Sequence, residues 1–418
     1  MIVAGGGPAG SVCAARLAAK GRRVLLLERD RHPRFHLGES LLPNSLEVLE
    51  AVGVLGAVRE RFLVKRGARF VDGADASRGR RYRFDEAFHA RYSHAFQVPR
   101  DAFDELLLRR AEACGAEVRE GWTVTRVVRD GRRVVGVEAR DPAGAAHAMD
   151  ASFVVDATGR EALTAHAAGD THRIPHLDRT ALYTQVRGAW RDEGEREGDI
   201  QIVVFGSDGG QDPGSGGKGV SWFWLIPFAD GRTSVGAVVS GAWVRAHRAQ
   251  LEPRAGPGAL FDAAVAEAPT VAGMLAGAER LMPAAATADF SFTVSDVRGE
   301  GWLAVGDATG FIDPLFSTGL HLGLHSALRG ADAIDEALTA GDLSPLRFDA
   351  WERSLRTGAG LFLGAVQAFY GGQLVPYLFA REQHPFLRRA ITSLLAGDVF
   401  DEGARWVSEI RARFPAQT

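Results

Sequence analysis

The chain has 418 residues, with 49 Lys and Arg against 52 Asp and Glu. That length allows a large core in two or three lobes, and the near balance of charge argues against a dedicated nucleic-acid binder. Two cysteines, Cys13 and Cys114, exclude a cysteine-type zinc site and give no disulfide framework.

In chain order, "IVAGG" reads as a buried parallel strand. No positively charged leader precedes it, and a cytosolic protein is expected. Gly5, Gly7 and Gly10 fit G-x-G-x-x-G between that strand and a helix, "GSVCAARLAAKG", ended by Gly21. The glycines let backbone approach a pyrophosphate, and the helix start presents free N–H groups and a positive dipole end. Glu28 closes the second strand, "RRVLLLERD", where a carboxylate accepts from a ribose diol. In "FLVKRGARF", Lys65 stands between apolar neighbours and Arg66, as a snorkelling surface lysine or as a desolvated amine. "SHAFQVPRDAFDELLLRRAEACGAEVREG" reads strand, turn, helix, strand, with Arg100 at the helix start, a surface charge or a ligand of the nucleotide. "ASFVVDATG" is another buried strand. From about 180 to 300, alternating stretches such as "TALYTQVRGAW" and "TSVGAVVSG" predict an antiparallel sheet and so a second lobe. "GSDGGQDPGSGGKG", 206–219, is a connection or a mobile cover.

"GWLAVGDATG" returns to the strand-plus-glycine style, and the chain from about 318 is mainly helical. "GLFLGAVQAFYGGQLVPYLF" is broken by glycines and a proline, so no membrane span is expected. The fold class is α/β: a Rossmann-like nucleotide lobe (1–178 and 282–340), an antiparallel-sheet substrate lobe (179–281) and a helical C-terminal region (341–418).

The strand ending in Gly306–Asp307 resembles the second flavin motif of hydroxylase-type flavoproteins, which points to FAD over NAD and places Asp307 on its ribityl or pyrophosphate region. Three further stretches make the resemblance more specific. "PRFHLGESLLPNS", "WFWLIP" and "FIDPLFSTG" together resemble flavin-dependent halogenases, the subgroup acting on phenols or carrier-held pyrroles. Trp222, Trp224, Ile226 and Pro227 match W-x-W-x-I-P; Phe311, Pro314, Ser317 and Gly319 match F-x-x-P-x-x-S-x-G. The resemblance places Lys65 at the family's active-site lysine. It adds Ala9, Ser40 and Val124 to the cofactor contacts, and it implies FADH2, oxygen and chloride or bromide as reactants. It puts the halide at Ser317, Thr318 and Gly319, where a helix start near Thr318 offers N–H groups unless Ser317 or Thr318 caps its own turn. Trp222, Trp224 and Pro314 would wall the substrate off from the flavin; filling the core is the other reading of the indoles.

The implied activity is halogenation of an electron-rich aromatic in natural-product assembly. The implied partners are the aromatic substrate, a separate flavin reductase and an acyl carrier protein. The glutamate that orients indole in tryptophan halogenases has no matching motif, and "DATGREAL" lacks the D-G start of flavin hydroxylases that bind NADPH. A flavin monooxygenase, a polyprenyl reductase and a non-catalytic flavin-binding protein are the rival readings. His36 and His94 are candidates to touch cofactor or substrate; His321 and His325, spaced i, i+4, are packing residues or metal ligands. Phe369, Tyr370, Tyr377 and Phe379 are core or a lid. Arg78, Arg80, Arg81, Arg83 and Arg91 form a solvated face or dock an acidic carrier protein.

Overall fold

The computed structural model describes residues 1–417 except 90, 207–218 and 253–254. Most of the 206–219 stretch therefore lies outside the described residues. Strands Ile2–Ala4, Leu25–Glu28, Glu117–Glu120, Val154–Asp156 and Trp302–Ala304 form a parallel sheet, with Arg298–Gly299 antiparallel at one edge. Val3, Leu26, Val155 and Leu303 are fully buried, as short apolar runs covered on both faces require. Helix Pro8–Ala19 packs on this sheet between helices Arg100–Ala113 and Thr318–Ala340. Strands far apart in sequence thus close one nucleotide lobe, as the discontinuous pattern predicts. A three-stranded sheet (Thr123–Asp130, Arg133–Arg140, Ala146–Asp150) flanks it.

The second lobe is an eight-stranded sheet ordered Glu279–Arg280, Arg179–Arg187, Arg232–Ser240, Ser221–Pro227, Ile200–Phe205, Gly67–Asp72, Gly79–Arg83, with Ala285–Ala288 also paired to Arg179–Arg187. Two boundaries need correction. Strands Gly67–Asp72 and Gly79–Arg83, expected in the nucleotide lobe, belong to this sheet, and so does Ala285–Ala288 beyond residue 281. The sheet is antiparallel except where Ile200–Phe205 runs parallel to Gly67–Asp72. Along Ser221–Pro227 the side chains alternate between two cores: Trp222, Trp224 and Ile226 face the nucleotide lobe, while Phe223 and Leu225 pack with Phe205 and Phe261 behind.

The C-terminal region consists of helices Asp349–Tyr370, Val375–Phe379, Pro385–Ala396 and Arg405–Arg413. The first packs on Thr318–Ala340 and the third on strand Gly79–Arg83, so the tail bridges both lobes. No described helix is long and apolar enough to cross a membrane.

Candidate active site

The two lobes meet at a cavity of about 960 Å³, lined by Gly5, Gly7, Ala9, Glu28, Ser40, Arg100, Val124, Asp307, Pro314, Ser317, Thr318, Gly319, Trp222 and Trp224 among others. Every residue expected at the cofactor, the halide and the wall is on it except Gly10. Gly10 acts one layer back: a Cβ there would lie 1.9 Å from the Gly5 carbonyl oxygen, so only glycine lets the helix pack against the strand. Gly5 has φ +105°, a conformation that favours glycine. Glu28 accepts from the N–H of Gly6 and, at 2.8 Å, from that of Asp30, which fixes its carboxylate at the strand end. Asp307 is half-buried on the cavity wall, and its desolvation pushes its carboxyl up to about 6.

Arg34 was not legible as a cofactor residue. Its guanidinium is buried on the cavity wall, 3.7 Å from where a Gly7 Cβ would stand. Nε and Nη1 make no hydrogen bond; they sit 3.4 Å from Asp30 and 3.3 Å from Asp104 in looser ion pairs. A dinucleotide fits this cradle: the glycines leave backbone open, and a cation faces the pyrophosphate position. Arg100 grips Asp104 through two bonds (2.6 and 2.9 Å) and donates to the Leu37 carbonyl, so it also braces the segment leading to Ser40. The Arg100 charge beside it drives the His36 imidazole down to about 4.

At the other end, helix Thr318–Ala340 starts where the sequence predicts. Neither hydroxyl caps it: Ser317 makes no cap bond, and Thr318 Oγ1 donates to the Asp313 carbonyl (3.2 Å). The first-turn N–H groups therefore have no side-chain partner from these two residues. Gly319 is required for space, since a Cβ would come 2.9 Å from the Phe311 ring.

The two indoles lie 6.0 Å apart at 53° and are both wall and core, being 1% and 5% exposed. Each N–H has a buried partner, and the Trp222 chain ends on a buried carboxylate. Trp222 Nε1 donates to Tyr370 Oη (2.9 Å), which donates to Asp313 (2.9 Å). Trp224 Nε1 donates to Ser234 Oγ (3.1 Å), and nearby the buried Glu39 carboxylate accepts from Gln185 (3.2 Å). Burial raises the Asp313 carboxyl to about 6 and that of Glu39 to about 7.

Lys65 is 1% exposed. Strand Leu63–Lys65 pairs with Ala95–Gln97, whose other edge bonds Ser40 and Leu41. The amine reaches across to donate to Ser40 Oγ (2.9 Å) and to the Leu41 carbonyl (3.0 Å). Phe84 lies 5.2 Å away, and burial brings the ammonium down to about 7, opposed by the Asp199 charge. The amine does not line the cavity; Ser40, which does, separates it from the cofactor space.

Other candidates resolve differently. His94 is not on the cavity wall and packs on Phe96. His321 and His325 are buried in contact with Phe400, bonded to Ser45 Oγ and the Asn44 carbonyl. No group of residues that could hold a metal occurs among the described residues. In the basic run, Arg81 is tied to Asp192 and Asp199 and Arg80 to the Ala380 carbonyl, while Arg78, Arg83 and Arg91 pair with Asp72, Asp85 and Glu50 and stay 65%, 61% and 61% exposed, as a solvated face. Glu39 and Asp313 carried no sequence signal beyond standing inside motifs quoted for other residues.

A family profile described as "Tryptophan halogenase" matches residues 73–374, and an NAD(P)-binding Rossmann-like profile matches 3–50. A tryptophan 2-halogenase of Chondromyces crocatus is 30% identical over 98% of this chain and 75% of its own. A 1H-pyrrole-2-carbonyl-[peptidyl-carrier protein] brominase of Pseudoalteromonas luteoviolacea is 27% identical over 96% of this chain and 92% of its own. Among solved structures, a Cytophaga hutchinsonii flavoprotein/dehydrogenase has a TM-score of 0.86 at 28% identity, covering 98% and 95% of the two chains. The myxobacterial chondrochloren halogenase has a TM-score of 0.78 at 31%, covering 99% and 95%.

Proposed function

This chain belongs to the tryptophan halogenase family and is a flavin-dependent halogenase of an aromatic substrate, and from that premise we propose a division of its site into three stations. The cradle of Gly5, Gly7, Ala9, Glu28, Arg34, Ser40, Arg100, Val124 and Asp307 holds FAD; Ser317, Thr318 and Gly319 hold chloride or bromide; Lys65 receives the halogen. Bound and reduced, FAD supplies hypohalous acid from oxygen and halide. Trp222, Trp224 and Pro314 keep the aromatic away from the flavin, so oxygen is not inserted into it.

The observation that carries this reading is the buried Lys65 amine behind Ser40. A neutral amine has two N–H bonds, and both are given, to Ser40 Oγ and the Leu41 carbonyl. Its lone pair is left for the halogen. One N–H is replaced by N–halogen as water leaves; the aromatic carbon then takes the halogen, and the ring proton restores the amine. An Arg in this place could not expose a lone pair.

The substrate is a free or carrier-tethered phenol or pyrrole. The carrier-bound form is supported by the brominase relative, and the relative named for tryptophan adds indole to the test. Reduced flavin comes from a separate reductase. In support, Asp156, the acid of "DATGREAL", is consumed by Thr158 and Thr164 and offers nothing to a second dinucleotide. With FADH2, oxygen and a panel of phenols, pyrroles and tryptophan, free and carrier-bound, mass spectrometry will find halogenated product only when NaCl or NaBr is present. Oxygenated product with and without halide would instead identify a monooxygenase.

A further inference from the structure

We infer that Tyr370, from the C-terminal region, is a positioning residue for the halide loop, holding it through Asp313 and tying it to the Trp222 wall. The inference rests on the halogenase reading and goes beyond it by giving the tail a part in the site. Asp313 organises the turn before helix Thr318–Ala340. One carboxylate oxygen accepts from Leu315 N–H (2.9 Å), its carbonyl accepts from Thr318 Oγ1 (3.2 Å), and its second carboxylate oxygen accepts from Tyr370 Oη (2.9 Å). Two of those three bonds lie within the loop; the third is the only one of them that anchors it to another element. Ser317, inside the same turn, has φ +56°, a left-handed conformation that a non-glycine residue keeps only when its surroundings hold it.

Tyr370 is also the acceptor for Trp222 Nε1 (2.9 Å), so a single hydroxyl fixes the loop and one indole relative to each other. The Arg179 guanidinium covers the Tyr370 ring at 3.8 Å and donates to the Val220 carbonyl (3.2 Å), next to the tryptophan strand. Removing the hydroxyl leaves a buried carboxylate oxygen and a buried indole N–H without these partners, and the loop loses its outside anchor.

The test is Tyr370→Phe in the FAD-loaded protein, read by chloride line-broadening NMR, by the bromide KM against the FADH2 KM, and by Tm. Halide binding and the bromide KM are expected to weaken about tenfold, with the FADH2 KM changed less than about twofold. Asp313→Asn keeps a single acceptor oxygen for two donors, the Leu315 N–H and the Tyr370 hydroxyl, and is also expected to weaken halide binding. Should Tyr370→Phe not fold, Trp222→Phe cuts the other end of the chain and is expected to weaken halide binding about threefold. Unchanged halide binding in whichever of these variants folds overturns the inference. Wild-type protein that does not broaden the chloride line contradicts the halide site itself, and the inference falls with it.

Discussion

Lys65→Ala, loaded with FAD, is expected to halogenate its aromatic substrate about a thousandfold more slowly than the parent, a loss of about 4 kcal/mol of transition-state stabilisation. Flavin content is expected to fall little, because the amine does not line the cavity and touches only Ser40 among the cradle residues. The halide loop also stays intact, since Lys65 contributes no bond to it. Hypohalous acid is therefore still made and, with no amine to receive it, escapes. A diffusible halogen acceptor in the buffer will trap it, while oxygen consumption per FADH2 stays at the parental value. Loss of aromatic product together with gain of trapped halogen separates a relay residue from a merely structural one. Parental halogenation by the variant would remove Lys65 from the mechanism.

Lys65→Met is expected to be more stable than the parent in acid and to lose that advantage in alkali. The buried amine titrates near 7, against 10.5 for a solvated lysine. Below pH 7 the residue carries its charge in both the folded and the unfolded state, so the folded protein bears the whole cost of burying it, on the order of 5 kcal/mol. Between pH 7 and 10.5 the unfolded chain binds more protons than the folded one, and parental stability rises with pH. Methionine has no charge to bury, but it leaves Ser40 Oγ and the Leu41 carbonyl without a donor, which costs about 1–3 kcal/mol. The variant should thus lead by a few kcal/mol at pH 6 and trail slightly near pH 10. The Glu39 carboxyl, raised to about 7, slopes the other way but is common to both proteins and cancels in the difference. Denaturant melts at the two pH values measure this directly. A gap that does not change with pH would mean that Lys65 is not titrating in a buried site.

The parts of this molecule that were legible in sequence are those whose physics is local. Gly5, Gly7 and Gly10, Glu28 at a strand end, and the helix start at Thr318 each follow from a short run of neighbours, and all but Gly10, one layer back, lie on the cavity wall. The alternation of Trp222, Phe223 and Trp224 follows from the period of a strand. What was hidden depends on pairing across long separations. Nothing near residue 70 announces that Gly67–Asp72 lies parallel to Ile200–Phe205 in the second lobe. Tyr370 looks like any core aromatic until its hydroxyl is seen between Trp222 and Asp313. Arg34 is one arginine among many, and only the fold brings its guanidinium beside Gly7 on the cavity wall. Lys65 is the instructive case: its flanking residues suit a surface lysine equally well. Its burial comes from strand Ala95–Gln97 and residues 39–41 folding over it.

The most direct measurement on the central claim is peptide mapping of the FAD-loaded enzyme after turnover with bromide in the absence of an aromatic substrate, quenched quickly. The account predicts one bromine in place of one hydrogen on the peptide carrying Lys65, removable by adding substrate, which leaves brominated product. Hypobromous acid formed in full yield beside an unmodified Lys65 peptide would contradict it.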